Sequence, residues 1–243
     1  MSTSNNDKKE EEQEYYQLVH VPTGGQVVLE ANLSIPKNTQ GVVIFAHGSG
    51  SSRHSPRNRY VAQVLQNEGI ATLLLDLLTE EEEEIDLQTR HLRFDIGLLA
   101  QRLVGATDWL KQNSGSRNLK VGYFGASTGA AAALVAAAER PNTINAIVSR
   151  GGRPDLAGTD NLQKVQASTL LIVGGNDVPV IAMNKQALDK MHMLEDSNNN
   201  DSEKNKNKKK LVIVPGATHL FEEPGKLEEV ARLAAEWFSN YLR

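Results

Sequence analysis

The 243-residue chain contains no cysteine. That single absence excludes disulfide bonds, thiolate nucleophiles and cysteine-ligated zinc. A basic surplus is missing as well: the formal net charge is −4, so no global positive field exists to hold nucleic acid. No apolar stretch approaches the ~18 residues of a membrane-spanning helix. The run Met1 to Gln13 is polar and acidic. It lacks the apolar segment of a secretory signal, and a cytoplasmic location is expected. No fixed-period repeat is evident. What remains is a chain with 40% hydrophobic residues, enough for the sizeable core of one α/β unit.

Against this background one pentapeptide stands out, Gly125-Ala126-Ser127-Thr128-Gly129. By itself Gly-x-Ser-x-Gly is a weak signal, because a chain containing many Gly and Ser residues produces it by chance. Its flanks make it specific. Leu119 to Phe124 is strand-like, and Ala130 to Ala138 consists only of Ala, Leu and Val, which predicts a closely packed helix. Strand, tight turn and helix together form the setting of a nucleophile elbow. In such an elbow the serine hydroxyl stands at the end of a sheet, above the free amides of a helix N-terminus.

The remaining chain alternates strands and helices. Residues 1–14 predict a disordered tail, and 196–210, rich in Asn and Lys, a disordered surface insert. The single folded domain is expected over 15–243. Gln17 to Val21 and Gln26 to Ser34 predict a hairpin around Pro22-Thr23-Gly24-Gly25. Further strands are predicted at Gly41–Ala46, Ile70–Leu75, Ala146–Val148, Thr169–Val173 and Leu211–Val214. The acidic run Glu80 to Glu84 reads as a solvated loop. Leucines and isoleucine at 92, 96, 99, 103 and 110 predict one long amphipathic helix over Leu87–Lys111. This alternation implies a mostly parallel sheet with helices on both faces and sites at the carboxyl ends of its strands. His47, Ser49, Ser127, Arg150, Asp177 and His219 all follow strands there.

A serine needs a base, and the base needs an orienting acid. His219 follows the last strand after a Gly-containing turn and stands last in the order Ser, Asp, His. The other five histidines, at 20, 47, 54, 91 and 192, lack that placement. Asp177 is the expected acid. Its competing role is to cap the following helix, and Asp155 is the reserve candidate. The backbone amide of Thr128 is one expected oxyanion donor, and that of Ser49 the other, with Gly50 as the alternate. His47 and Gly48 shape that loop.

The series His47-Gly48, Gly125-x-Ser127-x-Gly129, Gly174-Gly175-x-Asp177 and Gly216-x-x-His219 resembles the α/β-hydrolase superfamily. Chain size and the run Pro215 to Phe221 are similar to the dienelactone hydrolase family. The resemblance covers about residues 17–243 apart from the insert. It implies the α/β-hydrolase fold, an eight-stranded sheet with the second strand antiparallel, and Ser127-Asp177-His219 as a triad. Dienelactone hydrolases proper carry a cysteine nucleophile, whereas this chain has serine at the matching place, as in the family's serine esterase-like members.

About fifteen residues separate the sixth and seventh strands, too few for a lid domain. An open site for a small-molecule ester or lactone is therefore expected, cleaved through an acyl-enzyme without metal or organic cofactor, by a monomer or homodimer. Arg53 and Arg150, among five arginines past strand ends, are candidate contacts for a substrate carboxylate or phosphate. Their alternative is surface pairing with the Glu80–Glu84 run. Two other functional classes stay open: a non-catalytic binding protein on the same fold, and an acyltransferase or peptidase using the same triad.

Overall fold

The computed structural model of the chain describes residues 17–192 and 208–243. The expected tail at 1–14 and residues 196–207 of the expected insert lie outside the described residues. Eight strands form one sheet in the order β1-β2-β4-β3-β5-β6-β7-β8. They are β1 (Gln17–Pro22), β2 (Val28–Ser34), β3 (Gly41–Ala46), β4 (Ala71–Leu75), β5 (Lys120–Ala126), β6 (Ile144–Arg150), β7 (Ser168–Gly174) and β8 (Lys209–Val214). β2 runs antiparallel to both its neighbours, and β3 through β8 are mutually parallel.

The helices are α1 (Pro56–Asn67), α2 (Glu80–Thr89), α3 (Ile96–Gln112), α4 (Thr128–Glu139), α5 (Thr159–Lys164), α6 (Val178–His192) and α7 (Lys226–Leu242). Successive strand residues point to opposite faces. Val42 and Ile44 of β3 join the layer built with α3 and α4. Val43 and Phe45 join the layer built with α1 and α7. All six residues of β3 and all seven of β7 are buried, which explains why β3 reads as an unbroken apolar run. No helix among the described residues is long and apolar enough to cross a membrane.

Two expectations are corrected. The predicted long helix over Leu87–Lys111 is two helices with a 3₁₀ turn at Leu92–Phe94 between them. Arg90 adopts a left-handed conformation that ends α2 (φ 58°), and the Asp95 side chain caps α3 by accepting from the Leu98 amide at 3.0 Å. The acidic run is not a loop but the first turns of α2. Thr79 and Glu82 form a reciprocal capping box there, and carboxylates in a first helical turn are stabilised by the helix dipole. Between β6 and β7 lie only a 3₁₀ turn at Pro154–Ala157 and the short α5, so no lid domain stands at that point.

The parallel strands end in register. Ala46 pairs with Leu75 and Gly125. Ala126 pairs with Arg150, and Gly174 with Val214. Their following loops therefore meet along one edge of the sheet.

Candidate active site

Ser127 is the turn residue between β5 and α4. Its backbone has φ 51° and ψ −119°, a conformation that non-glycine residues rarely hold and that costs energy. Neighbours fix it in place. The Ser127 amide donates to the carbonyl of Arg150 at 3.2 Å, and its own carbonyl accepts from Arg153 at 3.1 Å and Ala130 at 3.1 Å. The flanking glycines are sterically required. A Cβ on Gly125 would enter the backbone of Ala130, and one on Gly129 the carbonyl oxygens of Ala46 and His47. A serine in this position ordinarily caps the helix with its hydroxyl. Here the hydroxyl makes no capping hydrogen bond and is committed to no other group among the described residues.

His219 lies in the loop after β8. Its Nδ1 is 2.7 Å from Oδ2 of Asp177. Asp177 also starts α6 with its backbone, since its carbonyl accepts from Ile181 at 3.0 Å, so helix initiation and carboxylate contact coexist in one residue. The reserve candidate Asp155 is held by Arg153 through two hydrogen bonds of 2.9 and 2.7 Å, which depress its pKa. The imidazole rests over the end of β6: a Cβ on Gly151 would lie 3.4 Å from both Cε1 and Nδ1 of His219. Ser127 and His219 thus approach adjacent residues, Arg150 and Gly151 respectively. Among the described residues no direct hydrogen bond joins them. Such contacts are commonly long without substrate and tighten on binding.

The loop after β3 passes beside the serine, with Gly48 so close that a Cβ there would lie 3.2 Å from Ser127 Cβ. His47 anchors this loop. Its Nε2 accepts from the Leu77 amide at 3.1 Å, so Nδ1 carries the proton and donates to the Gly48 carbonyl at 2.9 Å. Removal from water lowers the His47 pKa, against the opposing pull of Gly48, Asp76 and Glu83. The amides of Ser49 and Thr128 donate to no group among the described residues. Thr128 is the first residue of α4, where no intrahelical acceptor exists. A small cavity beside them is lined by His47, Ser49, Leu77, Leu99 and Thr128, and Glu83, Asp86 and Arg93 of the α2 segment close it.

The two sequence-selected arginines differ. Arg53 is engaged: its amide donates to Asp76 at 2.6 Å, and its guanidinium pairs with Asp76 and, at 2.5 Å, with Glu30. Arg150 is 7% exposed, and its Nε and Nη1 are buried without a hydrogen-bond partner among the described residues. Burial and the nearby Arg57 pull its pKa down to about 10.

Several supporting residues were not selected from the sequence. Both carboxylate oxygens of Glu223 accept from the Thr218 amide at 3.1 Å, directly before His219. The Thr218 side chain lowers the Glu223 pKa most, and the backbone amides of Glu223 and Thr218 lower it further. Asn176 ties the β7 loop to the β8 loop through Ala217 at 2.9 Å and Gly216 at 3.1 Å. Asp86 pairs with Arg93 in the cavity wall. The capping box of α2 was a readable local signal, whereas the long-range pairs leave no mark in the sequence.

Residues 29–242 match the Dienelactone hydrolase family. A dienelactone hydrolase from Anabaena variabilis is 64% identical, with a TM-score of 0.86 over 94% of this chain and 98% of its own. Est1E from Butyrivibrio proteoclasticus is 17% identical with a TM-score of 0.69 over 92% of this chain and 98% of its own, a likeness of fold. Two Mycobacterium tuberculosis proteins, both named "Putative phosphoribosyl transferase", are 54% identical over 218 residues. That match covers 90% of this chain but spans only 45% of the length of those relatives.

Proposed function

The chain belongs to the dienelactone hydrolase family, and from that premise we propose that it is a serine hydrolase of small carboxylic esters or lactones. The observation that carries this reading is the 2.7 Å contact between His219 Nδ1 and Asp177 Oδ2 at the sheet edge where Ser127 occupies a strained elbow. The transferase name belongs to proteins about twice as long, and the stretch they share with this chain is its hydrolase-family part.

Ser127 Oγ attacks the carbonyl carbon while His219 Nε2 takes the hydroxyl proton. Asp177 keeps Nδ1 protonated, orients the ring and stabilises the imidazolium. The amides of Thr128 and Ser49 donate to the oxygen as it gains negative charge. They need no reorganisation, because no protein acceptor occupies them first. The tetrahedral species collapses by breaking the bond to the alcohol oxygen, which receives the proton from His219. Water, deprotonated by the same imidazole, then attacks the acyl-enzyme and restores Ser127. Every step uses side chains and amides of this chain.

Pre-steady-state hydrolysis of p-nitrophenyl acetate tests the proposal. A burst of one p-nitrophenolate per protein chain, absent in Ser127→Ala, is expected. Turnover equal in wild type and Ser127→Ala would refute it.

A further inference from the structure

Asn184 lies in α6, about two helical turns after Asp177, and is fully buried. Its Nδ2 donates to the Val180 carbonyl at 2.8 Å and to the Gly152 carbonyl at 3.0 Å. Both partners are acceptors, so the amide nitrogen must face them, and both of its hydrogens are used. Its Oδ1 is buried without a partner among the described residues. A buried acceptor left in that state is unfavourable, and an apolar side chain of similar size would avoid it. The bond to Val180 stays within one turn of α6. The bond to Gly152 is the one that joins two parts of the fold.

Gly152 belongs to the strap 150–153, which seats the proposed nucleophile. The Arg150 carbonyl accepts from the Ser127 amide at 3.2 Å, and the Arg153 amide donates to the Ser127 carbonyl at 3.1 Å. Gly151 underlies the His219 ring, and its amide donates to the Ile172 carbonyl of β7 at 2.8 Å. Gly152 itself is wedged between β6 and α4: a Cβ there would run into Ser149 Oγ and Ala130 Cβ. Steric contact confines that residue on two sides, and the Asn184 amide holds its carbonyl from a third. The helix that Asp177 starts therefore also grips the strap on which Ser127 sits. We infer that Asn184 is a positioning residue: through Gly152 it keeps Ser127 in register with the Asp177–His219 pair. The inference rests on the hydrolase reading, because that register matters only if Ser127 is the nucleophile. Displacing a reacting group by about 1 Å can slow a reaction about a hundredfold.

Three variants test the tie. Asn184→Leu removes both bonds. Asn184→Ser keeps a bond to the Val180 carbonyl, which a helical serine reaches four residues back, but is too short to reach Gly152. Asn184→Gln retains the donor. The acylation rate constant with p-nitrophenyl acetate, read from the burst, should fall about tenfold to a hundredfold in Asn184→Leu and Asn184→Ser. The half-saturating ester concentration should change little, and Asn184→Gln should recover part of the rate. Hydrogen exchange measured by NMR follows the same tie without substrate. Protection of the Ser127 and Arg153 amides should fall in Asn184→Leu and Asn184→Ser, while the β3 amides keep wild-type protection. Wild-type acylation in both variants overturns the inference. So does a slower rate accompanied by lost protection across the whole sheet, which would mark a merely structural role. If Asn184→Leu does not fold, Asn184→Ser decides. A wild type that shows no burst counts against the hydrolase reading alone, and the exchange of the two amides then decides whether Asn184 holds the elbow.

Discussion

The amide of Ser127 donates to the carbonyl oxygen of Arg150 at 3.2 Å, so the strained elbow is fastened to the strand end that carries the buried guanidinium. Strain at one point and, among the described residues, an unpaired charge at the next are both unfavourable for folding alone. Their adjacency is what a site for a negatively charged transition state would use.

The elbow depends on its second glycine. Gly129→Ala places a methyl group against the carbonyl oxygens of Ala46 and His47. The variant should lose about 1–3 kcal/mol in urea unfolding, the usual cost of overpacking. Ester turnover should fall with it, because the same backbone carries the expected oxyanion donors. Unchanged stability would contradict the packing described for β3 against α4.

Asp177→Asn tests the orienting contact. The amide would favour the wrong imidazole tautomer, and kcat should fall by about three to four orders of magnitude, as at known Ser-His-Asp triads. Circular dichroism should be unchanged, since the Asp177 backbone bonds that begin α6 do not require the carboxylate. A loss below tenfold would remove Asp177 from the proposed triad.

Stability should depend on pH through His47. Its folded pKa is lowered by burial, so the unfolded chain binds the extra proton first. The stabilisation is present above the unfolded value of about 6.5 and is lost as pH falls through it toward the folded pKa. Urea midpoints measured between pH 8 and pH 5 should therefore fall more steeply for wild type than for His47→Asn. Parallel profiles would contradict the neutral, doubly bonded ring.

Much of this arrangement is legible in the chain. Gly125 to Gly129 announces a turn because its flanks switch from strand-like to helical within five residues. Asp177 and His219 stand out because each follows a short apolar strand. The break at Arg90–Asp95 was hidden because Leu92, Ile96 and Leu99 keep helical spacing across it. The interruption depends on a left-handed Arg90 and the Asp95 cap, which periodicity does not report. The pairing of Arg53 with Glu30 and Asp76 joins β2, β4 and the β3 loop, so its carboxylates could be assigned only once the sheet order was known. The support that Glu223 gives Thr218 is equally invisible, because a Glu on an exposed turn reads as solvated.

Arg53 offers a separate check. Removing it leaves Asp76 and Glu30 facing each other, and Arg53→Ala should cost about 1–3 kcal/mol of stability. The kcat/KM ratio of a p-nitrophenyl ester bearing a free carboxylate to a neutral one should be unchanged in Arg53→Ala, because Glu30 and Asp76 already engage the guanidinium. A ratio that collapses in Arg53→Ala at full stability would return Arg53 to the substrate site.

The most direct test of the central claim is labelling with a fluorophosphonate probe, followed by peptide mass analysis, on wild type, Ser127→Ala and His219→Ala. The account predicts one adduct per chain on Ser127, absent in Ser127→Ala and strongly reduced in His219→Ala. A folded wild type that takes no label, or takes it on another residue, would contradict it.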